Sequence, residues 1–239
     1  MRYLAFDIET IGKDKDSFDE TSLGYFREWA ERTAKTDEEV ERELDNIQEG
    51  LPFSPFLGEI VAIGMLDNVE KGAVYFRADK AKDVKDFEEN KVMYRVGSEK
   101  EILERFWDVA REYNSFVTFN GRGFDVPYLM IRSAVHKIRP TVNLLANRYL
   151  SLQRGAKHYD LADLLTFYGA MFKKPNLHFV SQAFGVESPK GGGMEGKMVP
   201  RAFREEKYLE IARYCIQDVY ATKRVFDIWD ENLNFESTW

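Results

Sequence analysis

The chain has 239 residues, 44% of them hydrophobic and 31% charged, with a formal charge of −7. That balance suits one folded domain and excludes wholesale disorder, collagen-like arrays and long heptad rods. No apolar run approaches the about 20 residues of a membrane span, Asp7 and Glu9 interrupt any signal-peptide core, and the single cysteine, Cys215, has no internal partner. The expectation is a cytoplasmic protein with no membrane association.

Tyr3 to Glu9 predicts a short strand. Its period of two puts Leu4, Phe6 and Ile8 on one face and Tyr3, Ala5, Asp7 and Glu9 on the other. Leu23 to Gln48 predicts one long polar helix, with Phe26, Trp29, Ala30, Val40, Leu44 and Ile47 at helix-like intervals before Pro52, Pro55 and Gly58 end it. Lys13 to Glu49 holds 13 acidic and 6 basic residues, so the whole net charge resides there. Residues 13–52 therefore read as an acidic helical insertion after the first strand, not as a second domain.

Glu59 to Leu66 and Ala73 to Arg77 predict two strands joined through a turn. Ser98 and Glu101 have capping-box spacing and open a helix to about Glu112. Phe116 to Phe119 predicts a strand stopped by Asn120-Gly121, and Val126 to Val135 a helix. Asp160 caps a helix carrying Leu161, Leu164, Leu165 and Tyr168. Leu177 to Phe184 predicts another helix, and a glycine-rich loop from Ser188 to Pro200 precedes a final helix from about Glu205 to Asn232. Strands alternating with helices indicate a single α/β domain, 1–239, around a central sheet. Val126 to Tyr159 contains no acid. It carries Arg132, Lys137, Arg139, Arg148, Arg154 and Lys157, a basic strip that fits a polyanion or a solvated surface.

Carboxylates in three segments resist a purely structural account. Asp7 and Glu9 are same-face neighbours roughly 7 Å apart at the end of an apolar strand; they either bind a hard cation or mark where the strand runs into solvent. Asp218 falls in the buried stripe Ile211, Cys215, Thr222, Val225 and Trp229 of the last helix, one turn beyond Tyr214. It reads as a metal ligand or as a boundary acid paired with Lys223 or Arg224. Asp125 follows the turn Asn120-Gly121-Arg122-Gly123-Phe124 and reads as a ligand or a helix cap.

Together, Phe6-Asp7-Ile8-Glu9-Thr10, Asn120 through Leu129, and Tyr214-Cys215-Ile216-Gln217-Asp218-Val219 resemble the three exonuclease motifs of the DEDD superfamily. Tyr214, four residues before Asp218, has the spacing of the tyrosine (DEDDy) branch. The chain is most similar to the stand-alone predicted 3′–5′ exonucleases related to the proofreading domain of family-B DNA polymerases. Ser54 to Val61 and Ser188-Pro189-Lys190-Gly191 support the likeness, which covers nearly everything except the 13–52 insertion.

The resemblance implies an RNase H-like three-layer fold with a central mixed β-sheet flanked by helices. It also implies two divalent cations, Mg²⁺ or Mn²⁺: one held by Asp7, Glu9 and Asp218, the other by Asp7 with water-mediated help from Asp125. Tyr214 would orient the attacking water or take part in its deprotonation. Thr10, Ile11, Asn120 and Phe124 match positions that line the terminal-nucleotide pocket. The expected substrate is a single-stranded or frayed 3′ end of DNA, with RNA as the alternative, and the expected products are nucleoside 5′-monophosphates. A different class stays open: a nuclease-like module that binds nucleic acid or protein without turnover.

Two other readings are set aside. Gly191 to Met198 approaches a phosphate-binding loop but has Met198 where Ser or Thr is required. His136, His158, His178 and Cys215 lack zinc-ligand spacing. His158 reads as structural or as a second layer around the metals, Asp160 and Asp163 as helix-start residues, and Cys215 as a small buried filler.

Overall fold

Strand β1 (Leu4–Gly12) is where the chain's alternation has its largest consequence. Leu4, Phe6 and Ile8 enter one apolar core with residues of helices α3 (Glu99–Ala110) and α4 (Asp125–Val135). Tyr3 and Ala5 enter the opposite core with residues of α7 (Val199–Arg204) and α8 (Tyr208–Asn232). The sheet thus lies between two helical layers, and Asp7 and Glu9 share the α8 face. The computed structural model describes residues 2–235 except 82, 172, 174 and 189–192.

The sheet has seven strands in the order β4-β5-β3-β2-β1-β6-β7. β2 (Gly58–Asp67) pairs antiparallel with β1 and with β3 (Gly72–Phe76). β5 (Val92–Val96) runs parallel to β3, and β4 (Phe87–Glu89) closes that edge antiparallel. On the other side β6 (Ser115–Thr118) is parallel to β1, and β7 (Lys157–Asp160) is parallel to β6. The expected α/β fold with a mixed, helix-flanked sheet is the one observed. Among the described residues no helix is long and apolar enough to cross a membrane.

Three local expectations change and a fourth is met. The predicted helix over 23–48 is two, α1 (Glu20–Glu31) and α2 (Asp37–Gly50), because the Thr36 side chain leaves the helix path to accept the Glu39 N–H. The helix after Asp160 is only α5 (Leu161–Leu165); Phe167 and Tyr168 take left-handed backbone angles, which places Tyr168 outside it. Pro200 sits in the first turn of a separate helix, α7, where its missing N–H is harmless; Glu206 then takes a left-handed backbone angle (φ 61°), and α8 begins only at Tyr208. α6 (Leu177–Ala183), a helix and not a strand, precedes the glycine-rich stretch, as the rejection of a phosphate loop requires. Residues 189–191 of the Ser188–Gly191 segment, and Gly192, lie outside the described residues.

The basic strip is also revised. Arg132 is buried and donates to both carboxylate oxygens of Glu99, at 2.8 and 2.6 Å. Arg148 binds both oxygens of Asp163, and Lys157 donates to the carbonyls of Leu150 and Gln153. Acids and carbonyls beyond the strip or within its own loops occupy those three cations, while Lys137, Arg139 and Arg154 remain exposed.

Candidate active site

Asp7 and Glu9 reach the site because β1 is interior and their face is the one α8 covers. Glu9 is 7% exposed and Asp7 half-buried. Neither carboxylate has a hydrogen bond or ion pair among the described residues. Asp125, first residue of α4, comes from the other helical layer, and its Oδ1 accepts the Ile8 N–H at 3.1 Å. That bond fixes the acid to the backbone between Asp7 and Glu9. Asp218 arrives from α8 and completes the group.

The electrostatics register the crowding. Burial, then the charges of Asp125, Asp218 and Glu9, pushes the Asp7 carboxyl well above its ordinary range. Burial, then Asp218 and Asp125, does the same to Glu9. Asp125 is pushed up to about 7, chiefly by burial, although the backbone N–H groups that it accepts work in the opposite direction. The four carboxylates therefore converge, and three of them carry the mark of mutual repulsion. The supposed partners of Asp218 are engaged elsewhere: Lys223 pairs with Asp227 at 2.7 Å, and Arg224 lies 4.0 Å from Glu187. A hydrogen bond joins Tyr214 to Asp218, and burial followed by the nearby acids raises the phenol above its ordinary range.

The turn before Asp125 is held by an acid whose reach exceeds a helix cap. Asp160 accepts the N–H groups of Asn120, Arg122 and Ala162 at 2.9, 2.8 and 3.0 Å. It thereby ties the end of β7 to the turn after β6, with Asn120 in the left-handed region. Gly121 is needed here, since a Cβ would meet Thr118 Oγ1 at 2.3 Å. His158 is structural: its ring nitrogens lie 2.8 Å from Thr118 Oγ1 and 3.0 Å from the Leu144 carbonyl, and burial lowers its pKa to about 4, leaving it neutral.

The expected nucleotide-contacting residues fare differently. Thr10 is buried, and its hydroxyl donates to the Pro52 carbonyl at 2.7 Å, so its side chain braces the end of the insertion. Ile11 is half-buried against the α8-side core. Phe124 is half-buried, 5.4 Å from Tyr128 and 6.2 Å from Phe53, centroid to centroid. Phe53 itself is 67% exposed. Sequence reasoning missed Phe53 because it sits in a proline-bounded stretch that reads only as a helix stop. It also missed a cavity of about 530 Å³ beside Tyr214, lined by Met194, Met198, Arg201, Lys207, Arg213 and Gln217. Its lining comes from the loop before α7, from α7 and from α8, which meet only in the fold.

The model of a family described as "Predicted 3′-5′ exonuclease related to the exonuclease domain of PolB" matches residues 56–228. A DNA polymerase of Desulfurococcus sp. (strain Tok) is 24% identical over 150 residues, covering 53% of this chain and 18% of that protein. DNA polymerase 1 of Sulfolobus acidocaldarius is 47% identical over 36 residues, 15% of this chain and 4% of that protein. The family B DNA polymerase of Pyrobaculum calidifontis shares the fold, with a TM-score of 0.58 at 18% identity over 95% of this chain and 24% of that one. The chain thus spans a small fraction of the polymerases it resembles.

Proposed function

The chain belongs to the family of predicted 3′-5′ exonucleases related to the exonuclease domain of PolB, and from that premise we propose that it removes nucleotides from the 3′ end of single-stranded or frayed DNA, releasing nucleoside 5′-monophosphates. Residues 1–239 act in this reading as one domain, with 13–52 as its insertion. The observation that carries the reading is the convergence of Asp7, Glu9, Asp125 and Asp218 from β1, α4 and α8. Four acids beside one another would repel a phosphate backbone, and a buried carboxylate such as Glu9, without a donor, calls for a cation.

The donor set fits hard divalent cations, since every member is a carboxylate oxygen. Asp7, Glu9 and Asp218 would hold one Mg²⁺ or Mn²⁺, and Asp7 with Asp125 the other. Such a pair, when bound, stabilises the attacking and leaving oxygens of an in-line displacement. Tyr214, hydrogen-bonded to Asp218 and raised by burial and the nearby acids in the metal-free fold, orients the attacking water. Asp160 holds the Asn120–Arg122 turn rigid, so that Asp125 and Phe124 keep their positions when substrate enters. Phe124 and Ile11 flank the terminal nucleotide.

The test is a digest of end-labelled single-stranded DNA and matched RNA with Mg²⁺ or Mn²⁺, and with chelator. Expected are a ladder shortening from the 3′ end, mononucleotide products, faster loss of DNA and no reaction in chelator. Binding with no cleavage in any metal would replace this reading by a module that holds nucleic acid without turnover.

A further inference from the structure

Cys215 is the only cysteine of the chain and is fully buried on α8. Filling space does not account for where its sulfur lies. Sγ, a carboxylate oxygen of Asp7 and a carboxylate oxygen of Glu9 are all within 4.8 Å of one another. A second observation points to a ligand there: Glu9 is more than nine-tenths buried, and its carboxylate lacks any hydrogen bond or ion pair among the described residues. A carboxylate so placed is satisfied by a cation. The third atom around that cation is a sulfur, a ligand that Mg²⁺ does not use and that Zn²⁺ or Cd²⁺ favours.

We propose that Asp7, Glu9 and Cys215 form a mixed oxygen–sulfur centre that takes a thiophilic divalent cation of the Zn²⁺ or Cd²⁺ class, in competition with the hard cation at the same two carboxylates. The inference rests on Asp7 and Glu9 being metal ligands, as in the function proposed above, and is independent of which polymer is cut. On binding, the Cys215 S–H bond breaks, a sulfur–metal bond forms and one proton passes to solvent; no electrons are transferred. The thiol's hydrogen bonds in the fold are weak ones, a 3.6 Å approach to the Asp7 carbonyl oxygen and a contact with the Gly64 backbone, while burial and the nearby acids hold it protonated until a cation offsets them. Water supplies a fourth ligand in the tetrahedral arrangement common to such ions. An ion held this way withdraws Asp7 and Glu9 from Mg²⁺, so the centre is inhibited by thiophilic metals.

With one cysteine in the chain, the ultraviolet thiolate-to-cadmium charge-transfer band reports on Cys215 alone. The full chain is titrated with Cd²⁺ as wild type, Cys215→Ala and Glu9→Gln. The expected result is a saturable band at one Cd²⁺ per chain, absent from Cys215→Ala, with at least tenfold weaker binding in Glu9→Gln. No band in the wild type, or a Glu9→Gln curve that superimposes on it, overturns the proposal. Equal Cd²⁺ uptake by folded Cys215→Ala in equilibrium dialysis does so too. Should Cys215→Ala fail to fold, Glu9→Gln, which keeps the thiol, decides the matter. Digestion of a DNA strand with Mg²⁺ alone, in the same preparations, separates the two readings. An intact strand with a saturable band sinks the exonuclease and sustains the centre, whereas digestion without a band does the reverse.

Discussion

Asp7 on β1 pairs in register with Gly64 on β2. A Cβ at Gly64 would lie 3.0 Å from Cys215 Sγ and 3.1 Å from Val219 Cγ2, both on α8. The missing side chain lets α8 settle against the sheet at the level of Asp7. Gly64→Val is expected to lift that helix and destabilise the protein by about 1–3 kcal/mol. Metal-dependent hydrolysis should fall further than the loss of folded protein accounts for. Denaturant melts and rates measured side by side check this; a wild-type rate per folded molecule would break the link between helix position and chemistry.

Acidity should affect the metal-free protein in an unusual direction. In the fold Asp125 is pushed up to about 7 from 3.8, with Asp7 and Glu9 also raised, whereas unfolded carboxylates titrate near 4. The folded state therefore binds protons that the unfolded state has released. The stability this provides is complete below about pH 4 and is lost as pH rises through about 7. In chelator, melting should occur at higher temperature at pH 5 than at pH 8. Each 1 kcal/mol is worth roughly 2–4 °C in a chain of this size. Mg²⁺ at pH 8 should restore part of the difference; a profile flat from pH 5 to 8 would contradict the repulsion.

Removing one charge follows the same logic. Asp7→Asn and Asp218→Asn should lower turnover at least about a hundredfold, the loss of roughly 2.7 kcal/mol in transition-state stabilisation. In chelator they should melt no lower than the wild type, because each relieves a like-charge contact. Calorimetry with a single-turnover assay makes both measurements, and normal turnover in either variant rules out the ligand assignment.

Tyr214→Phe should be slower than the wild type, yet far less damaged than the aspartate variants. With the phenol orienting water and not accepting its proton, the alkaline limb of the pH–rate profile should not move on substitution. A limb that disappears with the hydroxyl would make Tyr214 the proton acceptor.

Phe53 lies just before the segment matched by the family and presents an exposed ring 6.2 Å from Phe124. Stacking of a base on an aromatic ring contributes about 1–3 kcal/mol. Phe53→Ala should therefore raise KM for short single strands about 5- to 150-fold, with kcat nearly unchanged. An abasic 3′ terminus should show little of that difference. Equal penalties on both substrates would mean that the ring serves packing.

Much of this centre is legible in the chain itself. Period two in Leu4–Glu9 suffices to put Asp7 and Glu9 together, and the two cores divide that strand as expected. The stripe through Ile211 and Cys215 places Asp218 on the same side as Tyr214. Other features hide for physical reasons. Helical periodicity continues across Thr36, where one side-chain bond ends the run. β4 is a three-residue edge strand of Phe and two Glu, with little to separate it from a loop. The acid-free stretch from Val126 to Tyr159 looks like a polyanion surface until Glu99 and Asp163, distant or outside in sequence, neutralise Arg132 and Arg148. Asp160 resembles any helix cap, because its bonds to Asn120 and Arg122 exist only once β6 and β7 are adjacent.

The acids that meet in the fold are spread along nearly all of the polypeptide, Asp7 at one extreme, Asp125 midway and Asp218 far beyond. During translation the first is made early, and the last only after the ribosome has passed position 218. A stalled or truncated product that stops short of Asp218 cannot gather the set.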